Sequence, residues 1–324
     1  MLDIIIPVIR LLGLTVAGVV VFRARALREN VLAPLVFVTI NILFPIYFIS
    51  NFPPNWDAAA GIGPLWLIGS ALFCALMMTL QAAFGKALVG RRWGIPTDHP
   101  REVTALSAVH NAGFIPIPIM TAISPGPVLI YVFFYTLGFN LIFWTLAVDY
   151  ISGSRHKPII KLNPPTIGIL LGVLFAATGW YWEFPAALRG VLELAGDIGL
   201  DLVLFVLGGV LVKVSGESNV DQTVWWKFVF WRQLIYPAGV LLFLVLAAPM
   251  YLEYLPRGMH FAIPLAVVLQ ATSPPATNLA IVSEAYGTRE QTEVIGRGVV
   301  VSYLSAVITI PLFLGLTTLV FAGG

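Results

Sequence analysis

Charged residues are scarce in this sequence, and cysteine is almost absent. Only 10% of the 324 residues are Asp, Glu, Lys or Arg, against about 25% in an ordinary soluble domain. A chain with so few charges cannot cover a globular surface in water, which excludes a soluble protein. The single cysteine, Cys74, excludes an internal disulfide and a multi-cysteine metal site. We therefore predict neither a metal site nor a cofactor.

Excess charge of either sign and protease motifs are also missing. The formal net charge is +2 and the basic residues form no continuous stripe, which excludes nucleic acid as a partner. The sequence lacks both His-Glu-x-x-His and the Gly-x-Gly-Asp motif of intramembrane aspartyl proteases, so we expect no enzyme. What the sequence has instead is 59% hydrophobic residues, a proportion that suits a chain surrounded by lipid.

Ten apolar segments are long enough to cross a bilayer as helices of about 20 residues. Their apolar runs are continuous rather than alternating, which favours α-helices over a β-barrel. With the amino terminus outside, the predicted cytoplasmic loops and helix ends hold nearly all Lys and Arg residues of the loops, and the opposite side holds only Arg189 and Arg257. The predicted spans cover approximately residues 4–22, 32–50, 64–88, 102–122, 128–150, 165–182, 189–213, 224–247, 259–284 and 292–321.

The midpoint of the chain falls in a basic loop that divides the spans five and five. An odd number of spans per half makes the two halves enter the membrane in opposite directions, a recurring construction in secondary transporters. We therefore predict an all-α polytopic membrane protein of ten transmembrane helices in two inverted five-helix repeats. The first repeat covers 1–155, a basic cytoplasmic linker covers 156–163, and the second repeat covers 164–324.

Closely spaced prolines interrupt the fourth span of each half, as Pro116 and Pro118 and as Pro274 and Pro275. Proline removes a backbone donor and breaks a helix, and lipid tolerates the break only where protein or a cavity surrounds it. The two breaks at matching positions predict crossing broken helices 4 and 9, with half-helices beginning at Pro118 and Pro275. Their unpaired N–H groups and positive dipole ends would favour an anionic ligand. The alternative is that these prolines merely kink two helices.

Polar residues beside the two breaks are the candidate binding residues. His110 titrates near neutral pH and is a candidate for proton coupling, although a neutral histidine with ordinary hydrogen bonds is equally plausible. Gln270 offers an oxygen ligand for a sodium ion. The predicted substrate-binding residues are Asn111, Pro116, Pro118, Ser273, Pro274, Pro275, Thr277 and Asn278.

A second polar constellation lies on the seventh span. Glu193, Asp197 and Asp201 follow at intervals of four residues and share one helical face. A carboxylate at the centre of a span costs about 2.5–3.5 kcal/mol, so this face should meet protein or water. Asp197 and Asp201 are candidates for coupling or an ion pathway. Alternatively they neutralise a basic partner such as Arg10 of the first span, which could instead meet a substrate carboxylate.

Three segments resemble the auxin efflux carrier family. Ser273-Pro-Pro-Ala-Thr-Asn-Leu-Ala-Ile-Val-Ser-Glu-Ala-Tyr-Gly287 is similar to its ninth span, Asn111-Ala-Gly-Phe-Ile-Pro-Ile-Pro118 to its fourth, and Asn163-Pro-Pro-Thr-Ile-Gly-Ile-Leu-Leu-Gly172 to the start of its sixth. The likeness covers the whole chain, and the short central loop resembles the compact prokaryotic members. Asp201 departs from the pattern, because many relatives have a proline in the middle of the seventh span.

The resemblance implies a scaffold of helices 1, 2, 6 and 7, which commonly dimerises, and a transport domain of helices 3–5 and 8–10. It implies a secondary active transporter that moves a small organic anion, a carboxylate, by alternating access, with Asn111, Pro118, Pro275 and Asn278 as the crossover residues. We therefore expect a homodimer in the prokaryotic cytoplasmic (inner) membrane, multi-pass, with both termini outside.

The coupling ion stays open between H⁺ and Na⁺, and the membrane potential is a third driving force. Two alternative functions remain: a sodium-coupled symporter of the bile-acid type, and a channel or sensor without a transport cycle.

Overall fold

The computed structural model of the protein describes residues 2–59, 64–89, 94–124, 126–153, 162–215 and 222–321. Helices make up nearly all of these ranges, which contain no β-strand and only two isolated bridges. The helices are α1 Leu2–Phe22, α2 Arg25–Asn30, α3 Leu32–Val38, α4 Phe44–Ala59, α5 Pro64–Leu88, α6 Pro100–Ala108, α7 Pro116–Ile123, α8 Pro127–Ser152, α9 Pro164–Thr178, α10 Trp180–Glu183, α11 Ala186–Val214, α12 Gln222–Val229, α13 Tyr236–Tyr251, α14 Ala262–Thr272, α15 Asn278–Tyr286 and α16 Arg289–Phe321.

Each predicted span coincides with one helix or with a run of consecutive helices. Six continuous stretches are long and apolar enough to cross a membrane, and two further apolar helices, Ile6–Phe22 and Pro164–Thr178, are shorter. The predicted fourth and ninth spans are split, into α6 and α7 and into α14 and α15. A multi-pass α-helical membrane protein is thereby confirmed, while the count of ten spans and the inverted repeat stay predictions. Most of the predicted linker 156–163 lies outside the described residues.

The helices pack in two groups. The closest-packed pairs of the first group are α4 with α9, α1 with α11, and α11 with α4. In the second group α5 packs against α6 and α8, and α16 packs against α14 and α15. Helices α1 and α11 approach closely because Gly18 faces the backbone of Phe205 and Gly208 faces that of Thr15, where a Cβ atom would collide. The division into a scaffold and a transport domain stays a prediction.

Two of the apolar stretches contain a π-helical turn, Thr39–Leu43 between α3 and α4 and Phe230–Ile235 between α12 and α13. Such turns interrupt the regular side-chain rotation of an α-helix and occur frequently at functional sites. The first turn carries Asn41, which lines a cavity. The second carries Arg232, which is fully buried. Both turns therefore place polar groups beside the two broken helices.

Candidate functional site

The two breaks meet in the interior and pair through their backbones. The Asn111 N–H donates to the carbonyl of Pro274 at 2.7 Å, and the Ala276 N–H donates to the carbonyl of Val109 at 2.9 Å. His110 and Pro275 face each other in this short antiparallel bridge. The unwound segments thus satisfy each other's polar groups, which lipid could not do.

The predicted starting points of the two inner half-helices are wrong. Helix α7 begins at Pro116, not Pro118, and α15 begins at Asn278, not Pro275. Both prolines of the first pair fit in the first turn of α7, where backbone N–H groups have no intrahelical acceptor anyway. Pro275 instead lies in the extended bridge, so α15 starts only after the chain leaves that bridge.

The first break is braced by a single side chain. The Asn111 Oδ1 atom accepts from the N–H of Gly113 at 3.2 Å and of Phe114 at 2.9 Å. Its Nδ2 atom donates to the hydroxyl oxygen of Tyr303 at 2.7 Å. These contacts fix the amide orientation, so with respect to the described residues the second Nδ2 hydrogen of the Asn111 side chain is still available to a ligand. The side chain can therefore act toward a ligand as a donor.

The amino terminus of α7 offers few donors, against the sequence expectation. Pro116 and Pro118 have no N–H, and the Ile117 N–H is bound to the carbonyl of Gly113 at 3.0 Å. The N–H groups of Gly113 and Phe114 are taken by Asn111. An anion at this break would therefore meet side chains rather than a row of backbone donors.

The amino terminus of α15 is open in contrast. The N–H groups of Thr277 and Asn278 have no acceptor among the described residues, and neither side chain has a hydrogen-bond partner there. Asn278 is the first residue of the nine-residue helix α15. Unpaired N–H groups and the positive end of the helix dipole make such a terminus a site for an anion.

A cavity of about 260 Å³ lies beside both breaks. Within the described part of the chain, no charged side chain lines it. Asn140 contributes an Nδ2 group without a partner among the described residues, and its Oδ1 accepts from Asn163 at 3.3 Å. The polar lining residues are Asn41, Asn111, Thr136, Asn140, Asn163, Thr277 and Asn278, and the aromatic ones are Phe44, Phe114, Phe139 and Trp144. The cavity combines amide and hydroxyl groups with an aromatic wall.

Behind the crossing, one buried guanidinium group joins the carboxyl ends of the two outer half-helices. Arg232 is 1% exposed. Its Nε donates to the carbonyl of Ser107 in α6 at 3.1 Å, and a terminal nitrogen donates to the carbonyl of Ala271 in α14 at 2.8 Å. Because both helix dipoles present their negative ends here, a cation is stabilised at this point.

A series of hydrogen-bonded polar side chains leads from Arg232 to the first break. With its amide oriented to satisfy all neighbours, Gln81 accepts from Arg232 at 3.2 Å and donates to Nδ1 of His110 at 2.8 Å. The other ring nitrogen of His110 lies 2.9 Å from the Tyr135 hydroxyl oxygen. A neutral imidazole with its hydrogen on Nε2 satisfies both partners. The geometry favours the neutral histidine that the sequence left as one alternative.

Comparison with known proteins finds similarity to membrane transporters. A family model described as "Membrane transport protein" matches residues 159–314. An uncharacterized transporter of Methanothermobacter thermautotrophicus is 26% identical over 284 residues, which cover 85% of this chain and 86% of that protein. Protein PIN-LIKES 5 of Arabidopsis thaliana is 28% identical over 46% of this chain and 37% of its own length, and protein PIN-LIKES 7 is 30% identical over 42% and 36%.

These similarities support an auxin efflux carrier family member, with the family model matching just under half of the chain. The resemblance in the proline-containing segments is thereby confirmed. The family is one of transporters rather than enzymes, and the helices place this carrier in a membrane as a multi-pass protein.

Three of the eight predicted substrate-binding residues line the cavity, namely Asn111, Thr277 and Asn278. The hydroxyl of Ser273 donates to the Leu269 carbonyl of its own helix at 2.8 Å. The four prolines, Pro116, Pro118, Pro274 and Pro275, are buried in the two breaks and do not line the cavity. Their contribution is to end and restart the helices.

The predicted coupling residues divide into two places. Gln270 donates to the carbonyl of Ala112 at 3.2 Å and so ties α14 to the first break, as His110 ties α6 to its neighbours. Asp197, Asp201 and Arg10 instead are exposed on α11 and α1 and do not line the cavity. The ion pair considered between Arg10 and these carboxylates does not occur among the described residues.

Sequence reasoning missed Arg232 and the cavity-lining amides of Asn41, Asn140 and Asn163. Arg232 falls inside the predicted span 224–247, and an ionisable residue within an apolar span is itself a signal of function. Asn163 could be read only as a helix cap, and it does cap α9 by accepting from the Thr166 N–H at 2.9 Å. Its approach to Asn140 requires the fold.

Proposed function

We propose that this protein is a secondary active transporter that moves a small organic anion, a carboxylate, across the membrane by alternating access. The observation that carries the proposal is the open amino terminus of α15, where Thr277 and Asn278 face a cavity beside Asn111. A carboxylate there would accept from the backbone N–H groups of Thr277 and Asn278 and from the side-chain amides of Asn111 and Asn278. These donors are neutral, so the bound anion can be released again without breaking an ion pair.

The cavity wall supports a carboxylate with an apolar body. Phe44, Phe114, Phe139 and Trp144 line the side away from the amides. Ligand sites commonly combine an apolar wall with a few polar groups that fix orientation. The volume of about 260 Å³ suits a molecule of a few carbon atoms or one small ring rather than a peptide or a large conjugate.

Two groups of helices meet at this cavity, as alternating access requires. Asn41, Phe44 and Pro164 come from the group of α1, α3, α4, α9 and α11, while Asn111, Asn140 and Asn278 come from the other group. We propose that the second group is the transport domain and slides against the first as scaffold. Asn163 precedes α9 next to the basic linker, so the cavity faces the predicted cytoplasmic side in a protein with both termini outside.

Sodium coupling of the bile-acid type is the second candidate, and the contacts of Arg232 count against it. Carbonyl groups at half-helix ends are the groups that bind coupling cations in secondary transporters. Here the carbonyls of Ser107 and Ala271 are occupied by the guanidinium. No His, Cys, Asp and Glu cluster able to hold a metal ion occurs in the described ranges. We propose that Arg232 serves as a permanent charge in place of a bound cation.

Thermal unfolding of the purified protein against a panel of small carboxylates tests the transport proposal. A ligand at a hundredfold excess over its Kd should stabilise the folded state by about 2.7 kcal/mol. Each anion is compared at pH 5.5 and 7.5 and with sodium replaced by choline. A rise in melting temperature with one carboxylate, together with saturable uptake of that carboxylate into proteoliposomes, supports a carrier. Flux that never saturates would indicate a channel, and a shift that requires sodium would restore the symporter.

We further propose a homodimer through the scaffold helices. Parallel packing of α1 and α11 places Gly18 opposite Phe205 and Phe22 opposite Gly209, which puts exposed Arg10 at the depth of Asp197 and Asp201. Exposed charges at this depth need a partner, and a second copy offers opposite charge in a two-fold arrangement. Arg10→Glu should weaken dimerisation in an equilibrium sedimentation experiment, and adding Asp201→Arg should restore it. A monomer for the unmodified protein would refute this assembly.

A further inference from the structure

A second, separate groove lies on the other side of the crossing, between α1, the carboxyl end of α11 and α16. Its volume is about 360 Å³, and none of its lining residues lines the amide cavity. The hydrogen bond between Asn111 and Tyr303 stands between the two spaces, since Asn111 lines the cavity and Tyr303 lines the groove. The groove is therefore not an extension of the proposed substrate site.

The groove opens sideways toward the membrane. Three of its lining residues are large aliphatic side chains with high exposure: Val16 is 52% exposed, Leu304 is 68% exposed and Val307 is 43% exposed. Its floor is buried and includes Ile115 and Tyr303. A continuous apolar channel with one long side open to lipid fits an extended hydrocarbon chain.

One end of the groove is basic. Arg23 and Ser215 line that end, and Lys213 lies in the same last turn of α11. Within the described part of the chain, neither Arg23 nor Lys213 takes part in an ion pair. A phosphate group placed here would meet positive charge, while the Ser215 hydroxyl donates to the Val212 carbonyl at 2.7 Å.

The length of the groove matches one leaflet of a bilayer. From Leu12 to Arg23, both in its lining, eleven helical steps rise about 16 Å. Half of a hydrocarbon core is about 15 Å. The basic end would then lie at the headgroups while the deep end, at Ile115, lies beside the crossing near the membrane centre.

We propose that this groove binds one acyl chain of an anionic phospholipid, with the lipid phosphate held at Arg23. The lipid would lie on the seam between the two helix groups, because α1 and α11 belong to one group and α16 to the other. Binding would therefore depend on the relative position of the groups.

Native mass spectrometry of the full chain tests the proposal with phosphatidylglycerol and phosphatidylcholine of identical acyl chains. We expect at least one tightly held phosphatidylglycerol per protomer. Leu304→Trp fills the groove and should abolish this binding, whereas Ile308→Trp, on the same helix at a position 72% exposed but outside the groove, should retain it. Arg23→Gln should weaken the binding of phosphatidylglycerol roughly fivefold and leave the binding of phosphatidylcholine unchanged. Arg25→Gln is its matched control.

Equal binding by Leu304→Trp and the unmodified protein would overturn the proposal, as would equal losses in Leu304→Trp and Ile308→Trp. If Leu304→Trp fails to fold, Val16→Trp with Val20→Trp as control tests the opposite wall. Octanoate that displaces the lipid and is itself transported would assign the groove to the substrate pathway instead. If soluble carboxylates still raise the melting temperature of Leu304→Trp, the proposed substrate site is intact in this variant. A failure of the lipid proposal is then distinguished from a failure of the proposed function.

Discussion

The two breaks look alike in sequence and differ in structure. Each carries two prolines and an asparagine, yet Asn111 precedes its prolines and Asn278 follows its pair. The Asn111 Oδ1 atom accepts from the backbone of its own break, and its Nδ2 atom donates one hydrogen to Tyr303. The Asn278 side chain has no partner among the described residues and stands at an open helix terminus.

We propose that this difference separates a structural role for Asn111 from a binding role for Asn278, at positions that a repeat would treat as equivalent. The first break is closed by prolines and by Asn111, so its own half-helix α7 has few donors left. The second break has its prolines in the backbone bridge and leaves the N–H groups of Thr277 and Asn278 without an acceptor among the described residues, while those of Leu279 and Ala280 bond to Ala276 and Thr277. We infer that α15 supplies most of the binding energy for an anion and that the first break holds it in position.

The largest effect is expected from Asn278→Ala. This change removes a cavity-facing amide that has no structural partner, so uptake into proteoliposomes should be abolished while the melting temperature of the unliganded protein stays unchanged. Asn41→Ala, at another amide of the same cavity on the scaffold side, is the matched control and should reduce uptake less. Uptake by Asn278→Ala at the unmodified rate would remove α15 from the mechanism.

Arg232 belongs to both breaks, and its replacement tests whether they depend on one cation. Arg232→Gln leaves the carbonyls of Ser107 and Ala271 without their charged donor, at about 1–3 kcal/mol for each buried group. Arg232→Lys keeps the charge but cannot reach both carbonyls as a planar fork does. We expect the unmodified protein to have the highest melting temperature, Arg232→Lys a lower one and Arg232→Gln the lowest. A Gln variant as stable as the unmodified protein would show that the guanidinium does not hold the crossing.

The sequence was sufficient to predict both breaks and the apolar helical segments, because long apolar runs and internal prolines act locally, but not α2, which lies between two predicted spans. The predicted start of the second inner half-helix at Pro275 is wrong. Backbone hydrogen bonds with Val109 and Asn111, which are distant in sequence, hold this segment in an extended bridge. Arg232 was missed for a similar reason. Its acceptors lie on two other helices, more than thirty residues away in sequence.

Asn111 should affect stability as well as uptake, which sharpens the contrast with Asn278. Asn111→Ala leaves the N–H groups of Gly113 and Phe114 without their acceptor, at an expected cost of about 1–3 kcal/mol. Asn111→Asp keeps an acceptor for both N–H groups but replaces the donor with a charge that repels an anion. We expect the Ala variant to lose both melting temperature and uptake. If it loses uptake alone, the first break does not depend on this brace.

The smallest effect is expected from Tyr303→Phe, which removes only the acceptor for the Asn111 amide. The loss of one neutral hydrogen bond should cost about 0.5–1.5 kcal/mol, because the bonds from Gly113 and Phe114 still orient the side chain. The amide gains freedom to turn, so the KM for the transported anion should rise while the maximal rate changes little. Tyr135→Phe is the matched control, since it removes a buried hydroxyl at His110 instead. A rise in KM in both variants would attribute the effect to general loosening of the crossing, whereas a rise in Tyr303→Phe alone would show that Asn111 meets the substrate as a positioned donor.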